Sequence, residues 1–260
     1  MNLIDQQIQK IRKQKRLGLM THVVLGYPDI KETEKIILAM VKQGVDFIEL
    51  QIPFSDPLGD GSVIRKANTT ALENRFKVEQ AFELVKRLRQ DHKVEIPLLF
   101  MTYFNIVFNY KVEEFCKQAA EVGINGLIVP DFTKKAEKHD KLDECCTNNN
   151  LYLIKFLSLD SSNECIKQLD NSGFVYCFAQ RGITGERKQI LAELSQNLVR
   201  FKKSISMSLA VGFGLSKPRH IEELKGKADI VIVGSSLLNA YNKDGIGGMT
   251  NHLGNLVEVL

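Results

Sequence analysis

Polar and apolar positions recur along the chain in one repeating unit. An amphipathic stretch is followed by a glycine or small polar break, then by a short apolar run rich in β-branched residues. The unit shows at 44–50 (GVDFIEL), 123–129 (GINGLIV), 173–179 (GFVYCFA) and 227–234 (KADIVIVG). Apolar runs at 20–25, 97–101, 152–157 and 208–211 bring the strand candidates to eight. The runs are nearly continuously apolar, as expected of a parallel sheet covered on both faces. Between them lie helical stripes: Ile36, Ile37, Met40 and Val41; Ala81, Phe82, Val85 and Leu88; and Val112, Phe115, Ala119 and Val122.

Strict alternation of strand and helix implies right-handed crossovers and a parallel sheet. Eight strands within 260 residues favour closure into an α/β fold of the (β/α)8 TIM barrel type, one domain over residues 1–260. Two additions are expected. Leu3, Ile4, Ile8 and Ile11 predict an extra N-terminal helix, and the long gap from Leu50 to Pro97 predicts a loop (51–61) and two helices inserted after strand 2. An insertion after a barrel strand lies at the carboxyl-terminal mouth, where barrels keep their chemistry.

Composition narrows the partners. The formal charge of +4 is mild, and the basic cluster Lys10, Arg12, Lys13, Lys15 and Arg16 reads as the wet face of the leading helix. Nucleic acid is therefore not expected. No apolar run follows that cluster as in a signal peptide, and no stretch approaches a membrane span of ~20 apolar residues. The five cysteines are odd in number and lack C-x-x-C spacing, and the histidines form no ligand pattern. These features point away from a disulfide framework or a metal site and toward a reducing, cytoplasmic compartment.

Four places carry candidate chemistry. Glu49 stands near the end of an apolar strand, on the same side as Phe47. Its carboxylate either reaches solvent at the strand end or lies in a desolvated pocket with a raised pKa, suited to acid–base work. Asp60, in the Pro- and Gly-rich loop PFSDPLGDG, is either a turn residue or a second carboxylate at the same mouth, where two environments allow two roles. Gly212-Phe213-Gly214-Leu215-Ser216 and Gly234-Ser235-Ser236 follow the seventh and eighth strands, the usual phosphate-binding place of a barrel. The other reading makes these turn glycines, with Ser235 or Ser236 as an N-cap. The loop QRGITGER (180–187) has the polarity and glycines of a lid, and Tyr176 in strand six is either a pocket residue or core.

Together these residues resemble one family. The segment IELQIPFSDPLGDG (48–61) resembles the hallmark of the tryptophan synthase α subunit. Leu25-Gly26-Tyr27-Pro28, Tyr103-Phe104-Asn105, Arg181-Gly182-Ile183-Thr184-Gly185, Gly212 to Ser216 and Val233-Gly234-Ser235 follow in matching order. The resemblance implies a lyase of tryptophan biosynthesis that splits indole-3-glycerol phosphate into indole and glyceraldehyde 3-phosphate. It implies Glu49 and Asp60 as catalytic residues: Glu49 moves protons, and Asp60 accepts a hydrogen bond from the indole N–H. It implies that Tyr176 lines the indole pocket with Tyr103 near it, and that Gly185, Phe213, Gly214, Gly234 and Ser235 hold the phosphate. It also implies an α2β2 heterotetramer with a β subunit that carries pyridoxal phosphate, leaving no cofactor in this chain. Pro53, Phe54, Ser55, Asp56, Asn105 and Asn109 match positions near that partner.

The sequence departs from the family's pattern at Gln51, where glycine is common, at Tyr27 in place of aspartate, and at Ser62 in place of proline. Gln51 shares the side of Glu49 and would narrow the pocket or add a hydrogen bond. A second reading is a barrel of low turnover that mainly activates a β partner. A third is another phosphate barrel with a catalytic lysine or histidine at a strand end, for which Lys155 is the lysine available.

Overall fold

The computed structural model describes residues 1–57, 59–132, 134–158, 161–162, 164, 166, 169, 173–178, 187–212 and 214–260; within helices, the side chains of 134–135 and 187–195 are left aside. Nine strand segments run parallel: β1 (Gly18–Val24), β2 (Phe47–Gln51), β3 (Leu98–Met101), β4 (Gly126–Ile128), β5 (Tyr152–Leu153), β6 (Lys155–Ser158), β7 (Phe174–Phe178), β8 (Ser208–Val211) and β9 (Ile230–Val233). Their order is β5-β4-β3-β2-β1-β9-β8-β7-β6. The two ends of that order, β5 and β6, are the single apolar run predicted as strand five, interrupted at Ile154. Its first half pairs with β4 and its second half with β7, so this run joins the ends of the sheet and closes the barrel. Eight chain passes are thus present, as the pattern predicts. The ninth segment arises because one strand changes neighbours halfway along.

Alternation along each strand divides the apolar residues into two cores. Inward-facing Met20, Phe47, Leu99, Ile128, Ile154, Phe174, Ala210, Ile230 and Ile232 fill the barrel. Outward-facing Leu19, Ile48, Leu50, Phe100, Val175 and Val231 pack beneath the surrounding helices. The N-terminal helix α1 (Leu3–Gln14) begins at Asn2, whose Oδ1 accepts from the Ile4 amide at 2.9 Å. Its buried Ile4, Ile8 and Ile11 join the inner core, so the helix stoppers the floor of the barrel. Lys10, Arg12, Lys13 and Lys15 face solvent, whereas Arg16 grips the buried Asp46 through two hydrogen bonds of 2.7 Å. The basic cluster is therefore mostly a wet face, with Arg16 tying the floor to the start of β2 and Arg12 Nη2 donating to Ser208 Oγ of β8 at 3.0 Å.

Helix α2 (Ile30–Lys42) follows β1, and the insertion after β2 holds a loop and the helices α3 (Ser62–Glu73) and α4 (Val78–Gln90), as the gap predicts. Its anchors place the site. Phe54 N–H donates to Asn68 Oδ1 at 2.9 Å, and the Gly59 amide donates to the Tyr103 hydroxyl at 3.4 Å. Among the described residues, no helix is long and apolar enough to cross a membrane.

Candidate active site

Strand β2 sends Phe47, Glu49 and Gln51 inward in ascending order, so a carboxyl stands directly above an aromatic floor. Glu49 is 4% exposed. Burial first, and the charge of Asp60 second, push its pKa up to about 8. Of the two readings left open by the sequence, the desolvated pocket is the one observed. At neutral pH this carboxyl holds its proton.

Asp60 lies at the end of the loop, where its amide closes a turn onto Pro57 O at 3.1 Å. Its backbone is a turn, and its side chain is nevertheless folded inward and 8% exposed. Gln51 reaches it: Gln51 Nε2 donates to Asp60 Oδ2 at 2.6 Å. The other end of the same amide, Gln51 Oε1, lies 2.8 Å from His22 Nε2. A carboxylate only accepts, so the amide must turn its NH2 to Asp60 and its oxygen to His22, which places the imidazole proton on Nε2. Burial lowers the His22 pKa, against the opposing pull of Asp60 and of the Gln51 hydrogen bond. The ring is therefore neutral near pH 7. The departure at Gln51 has thus added a hydrogen bond.

Across the barrel, Tyr176 of β7 tilts against Phe156 with ring centroids 5.3 Å apart. It abuts Gly212, where a methyl group would come within 2.6 Å of the tyrosine oxygen. Burial of the phenol end, then the charges of Glu49 and Asp60, raise its pKa well above the ordinary value. Both acids therefore act on this hydroxyl. Tyr103 is buried and stacked on Phe54, with centroids 4.9 Å apart and planes 23° from parallel.

The rim above β8 and β9 is built on glycines. Gly234, not a serine, caps the helical segment Ser235–Val257, which is broken at Asp244–Gly245; its carbonyl accepts from the amides of Leu237 and Leu238 at 2.9 and 3.1 Å. Ser235 is exposed, and Ser236 Oγ donates to Leu215 O at 3.3 Å, joining this turn to the one that carries Gly214. Gly214 has φ 53°, in the left-handed region that favours glycine. Gly185, Phe213 and the loop 180–186 lie outside the described residues.

The residues expected near a partner divide. Ser55 and Asp56 are exposed and Phe54 is half-buried, but Pro53 is buried and shapes the loop from within. Asn105 and Asn109 are exposed on the helix Phe104–Tyr110, linked at 3.3 Å, with Phe108 56% exposed between them. Lys155 turns away from the barrel interior and pairs with Asp143, which leaves the reading based on a catalytic lysine without its residue.

The family model for the tryptophan synthase alpha chain matches residues 8–255. The chain belongs to the tryptophan synthase alpha chain family. A tryptophan synthase alpha chain of Desulforapulum autotrophicum is 40% identical over 249 residues, covering 95% of this chain and 97% of the relative. That of Desulfotalea psychrophila is 38% identical over 244 residues, covering 93% and 94%. Among solved structures, tryptophan synthase subunit alpha from Legionella pneumophila str. Paris superposes with a TM-score of 0.89 at 28% identity, covering 100% of this chain and 98% of that one. Tryptophan synthase from Mycobacterium tuberculosis gives 0.89 at 27% identity, covering 98% and 97%.

Within this family fold, one polar residue escaped the sequence reading. His22 looks like a chance polar residue in an apolar strand. The signal was its period: it shares the inward side of β1 with Met20, as Glu49 shares that of β2 with Phe47.

Proposed function

We propose that the chain cleaves indole-3-glycerol phosphate to indole and glyceraldehyde 3-phosphate, as a carbon–carbon lyase with Glu49 and Asp60 as its catalytic residues. The observation that carries this reading is a carboxyl, buried at the barrel mouth and protonated at neutral pH, beside a second carboxyl held by hydrogen bonding. Glu49 gives its proton to C3 of the indole ring. Positive charge then develops at the ring nitrogen, and Asp60 accepts the N–H hydrogen bond that strengthens as it does. The Glu49 carboxylate next removes the proton of the hydroxyl adjacent to the ring. The hydroxyl carbon becomes the aldehyde of glyceraldehyde 3-phosphate, and the electrons of the broken C–C bond restore the aromatic ring. Tyr103 and Tyr176 wall the ring. The backbone amides near Gly214, Gly234 and Ser235, completed by Gly185 and Phe213, hold the phosphate.

The chain works with a tryptophan synthase β subunit in an α2β2 assembly, and pyridoxal phosphate resides in that partner. The loop Pro53-Phe54-Ser55-Asp56 and the face carrying Asn105 and Asn109 make the contact. One observation favours a second reading, a weak enzyme that chiefly activates the partner: Gln51 already occupies Asp60 Oδ2. Indole release by the purified chain, with and without a β subunit, separates the two. Under the main reading the chain alone releases indole, and Glu49→Gln lowers the rate by at least ~100-fold. Near-normal turnover in that variant removes Glu49 from the reaction.

A further inference from the structure

We propose that Gln51 is a positioning residue for Asp60 and that His22 steadies Gln51 from its other end. The inference rests on the reading of Asp60 as the acceptor of the ring N–H, and it names what holds that acceptor in place. Asp60 sits on a loop and not on a strand, yet its task requires a carboxylate plane fixed to a fraction of an ångström. Gln51 is on the strand, fully buried, and spans from the barrel wall to Asp60 Oδ2. A glutamine amide has two ends of almost the same shape. Turned the wrong way, its oxygen would face the carboxylate and repel it.

The Asp60 carboxylate selects the NH2 end, and His22 takes the oxygen end. With its NH2 on Asp60, Gln51 Oε1 lies 2.8 Å from His22 Nε2, so both ends of the amide are satisfied. The imidazole is itself confined. It stands opposite Glu49 in the β1–β2 register, and its ring packs on Gly234, where an added methyl would lie 3.1 Å from His22 Cβ and 3.3 Å from Nδ1. All three members of the chain are buried, where a half-satisfied amide is costly and a satisfied one is rigid. Glu49, Tyr176 and His22 are among the described titratable groups that feel the charge of Asp60. Gln51 gives Asp60 Oδ2 a donor fixed to the barrel wall.

The test uses two uncleavable ligands, an indolylpropyl phosphate and its N-methyl counterpart, which has no ring N–H to donate. Binding to the whole chain is measured by titration calorimetry for the wild type, Gln51→Leu, Gln51→Glu and His22→Phe. Gln51→Leu weakens the N–H ligand about tenfold, the effect of one hydrogen bond to a charged group, and leaves the N-methyl ligand within about twofold. Gln51→Glu keeps the shape, loses the donor and is worse than leucine for the N–H ligand. His22→Phe falls between wild type and Gln51→Leu. Equal losses for both ligands make Gln51 a wall of the pocket and overturn the inference alone. A wild type that binds both ligands equally shows that Asp60 does not read the ring nitrogen, and also overturns it. A wild type that binds neither removes the proposed function and this inference with it.

Discussion

Asp60 stands close enough to Glu49 that its charge, after burial, is the second cause holding the Glu49 pKa at about 8. The proposed first step needs the protonated carboxyl. Activity therefore persists from neutrality downward as far as other groups allow, and falls as pH rises through about 8. A plot of kcat/KM against pH should bend down with a midpoint near that value. Asp60→Asn removes the charge and leaves burial, so it should move the bend to lower pH, in addition to its cost in rate. A bend unmoved by Asp60→Asn would mean that the two acids do not communicate.

The same group links stability to pH. In the unfolded chain the Glu49 carboxyl titrates near 4.5, and in the folded chain near 8. Between those values the folded state holds a proton that the unfolded state has lost, so stability falls as pH rises across the window. Glu49→Gln cannot ionise. It should change stability little at pH 4.5 and raise it by roughly 4 kcal/mol at pH 8, read as urea unfolding midpoints at the two pH values. An inactive variant that is more stable than its parent only at the higher pH would identify a carboxyl kept buried for its chemistry.

Much of this was legible in the sequence because periodicity reports facing. Phe47, Glu49 and Gln51 fall on one side of a strand by alternation alone, and the structure has them on the inner side. The gap after β2 predicted two helices, and α3 and α4 occupy it. Closure was less legible, since the run at 152–157 reads as one strand and nothing local says that it changes neighbours at Ile154. Asp60 remained open between turn and site because a loop residue has no period. Its inward direction depends on Gln51 and on the loop's anchorage to Asn68 and Tyr103, contacts formed between separate elements. His22 was missed although its period was visible, for its partner is Gln51, 29 positions away.

Gly212 is predicted to be essential for the placement of Tyr176. A methyl group there would lie 2.6, 2.9 and 3.0 Å from Oη, Cε1 and Cζ of the tyrosine, closer than carbon atoms tolerate. The ring is flanked by Phe156 and cannot yield freely. Gly212→Ala should cost about 1–3 kcal/mol in thermal unfolding and lower kcat/KM more than tenfold, because the pocket wall shifts by a sizeable part of an ångström. Adding Tyr176→Phe removes the nearest of the three clashing atoms and should recover part of the lost stability. Absence of any recovery would place the strain elsewhere.

Phe108 offers a test of the proposed partner face that leaves the chemistry untouched. It projects 56% exposed from the helix Phe104–Tyr110, between the exposed Asn105 and Asn109. One large aromatic flanked by small amides is the composition of an interface anchor, whose truncation removes apolar area from the contact and, within the chain, its tilted contact with the Phe104 ring. Phe108→Ser should leave indole release by the isolated chain within about twofold, while binding to a β subunit weakens by ~10-fold or more. Titration calorimetry against the β subunit reads the affinity, and the activity of the isolated chain serves as the internal control. Unchanged affinity would move the contact away from this helix and leave the loop carrying Ser55 and Asp56 as the remaining candidate.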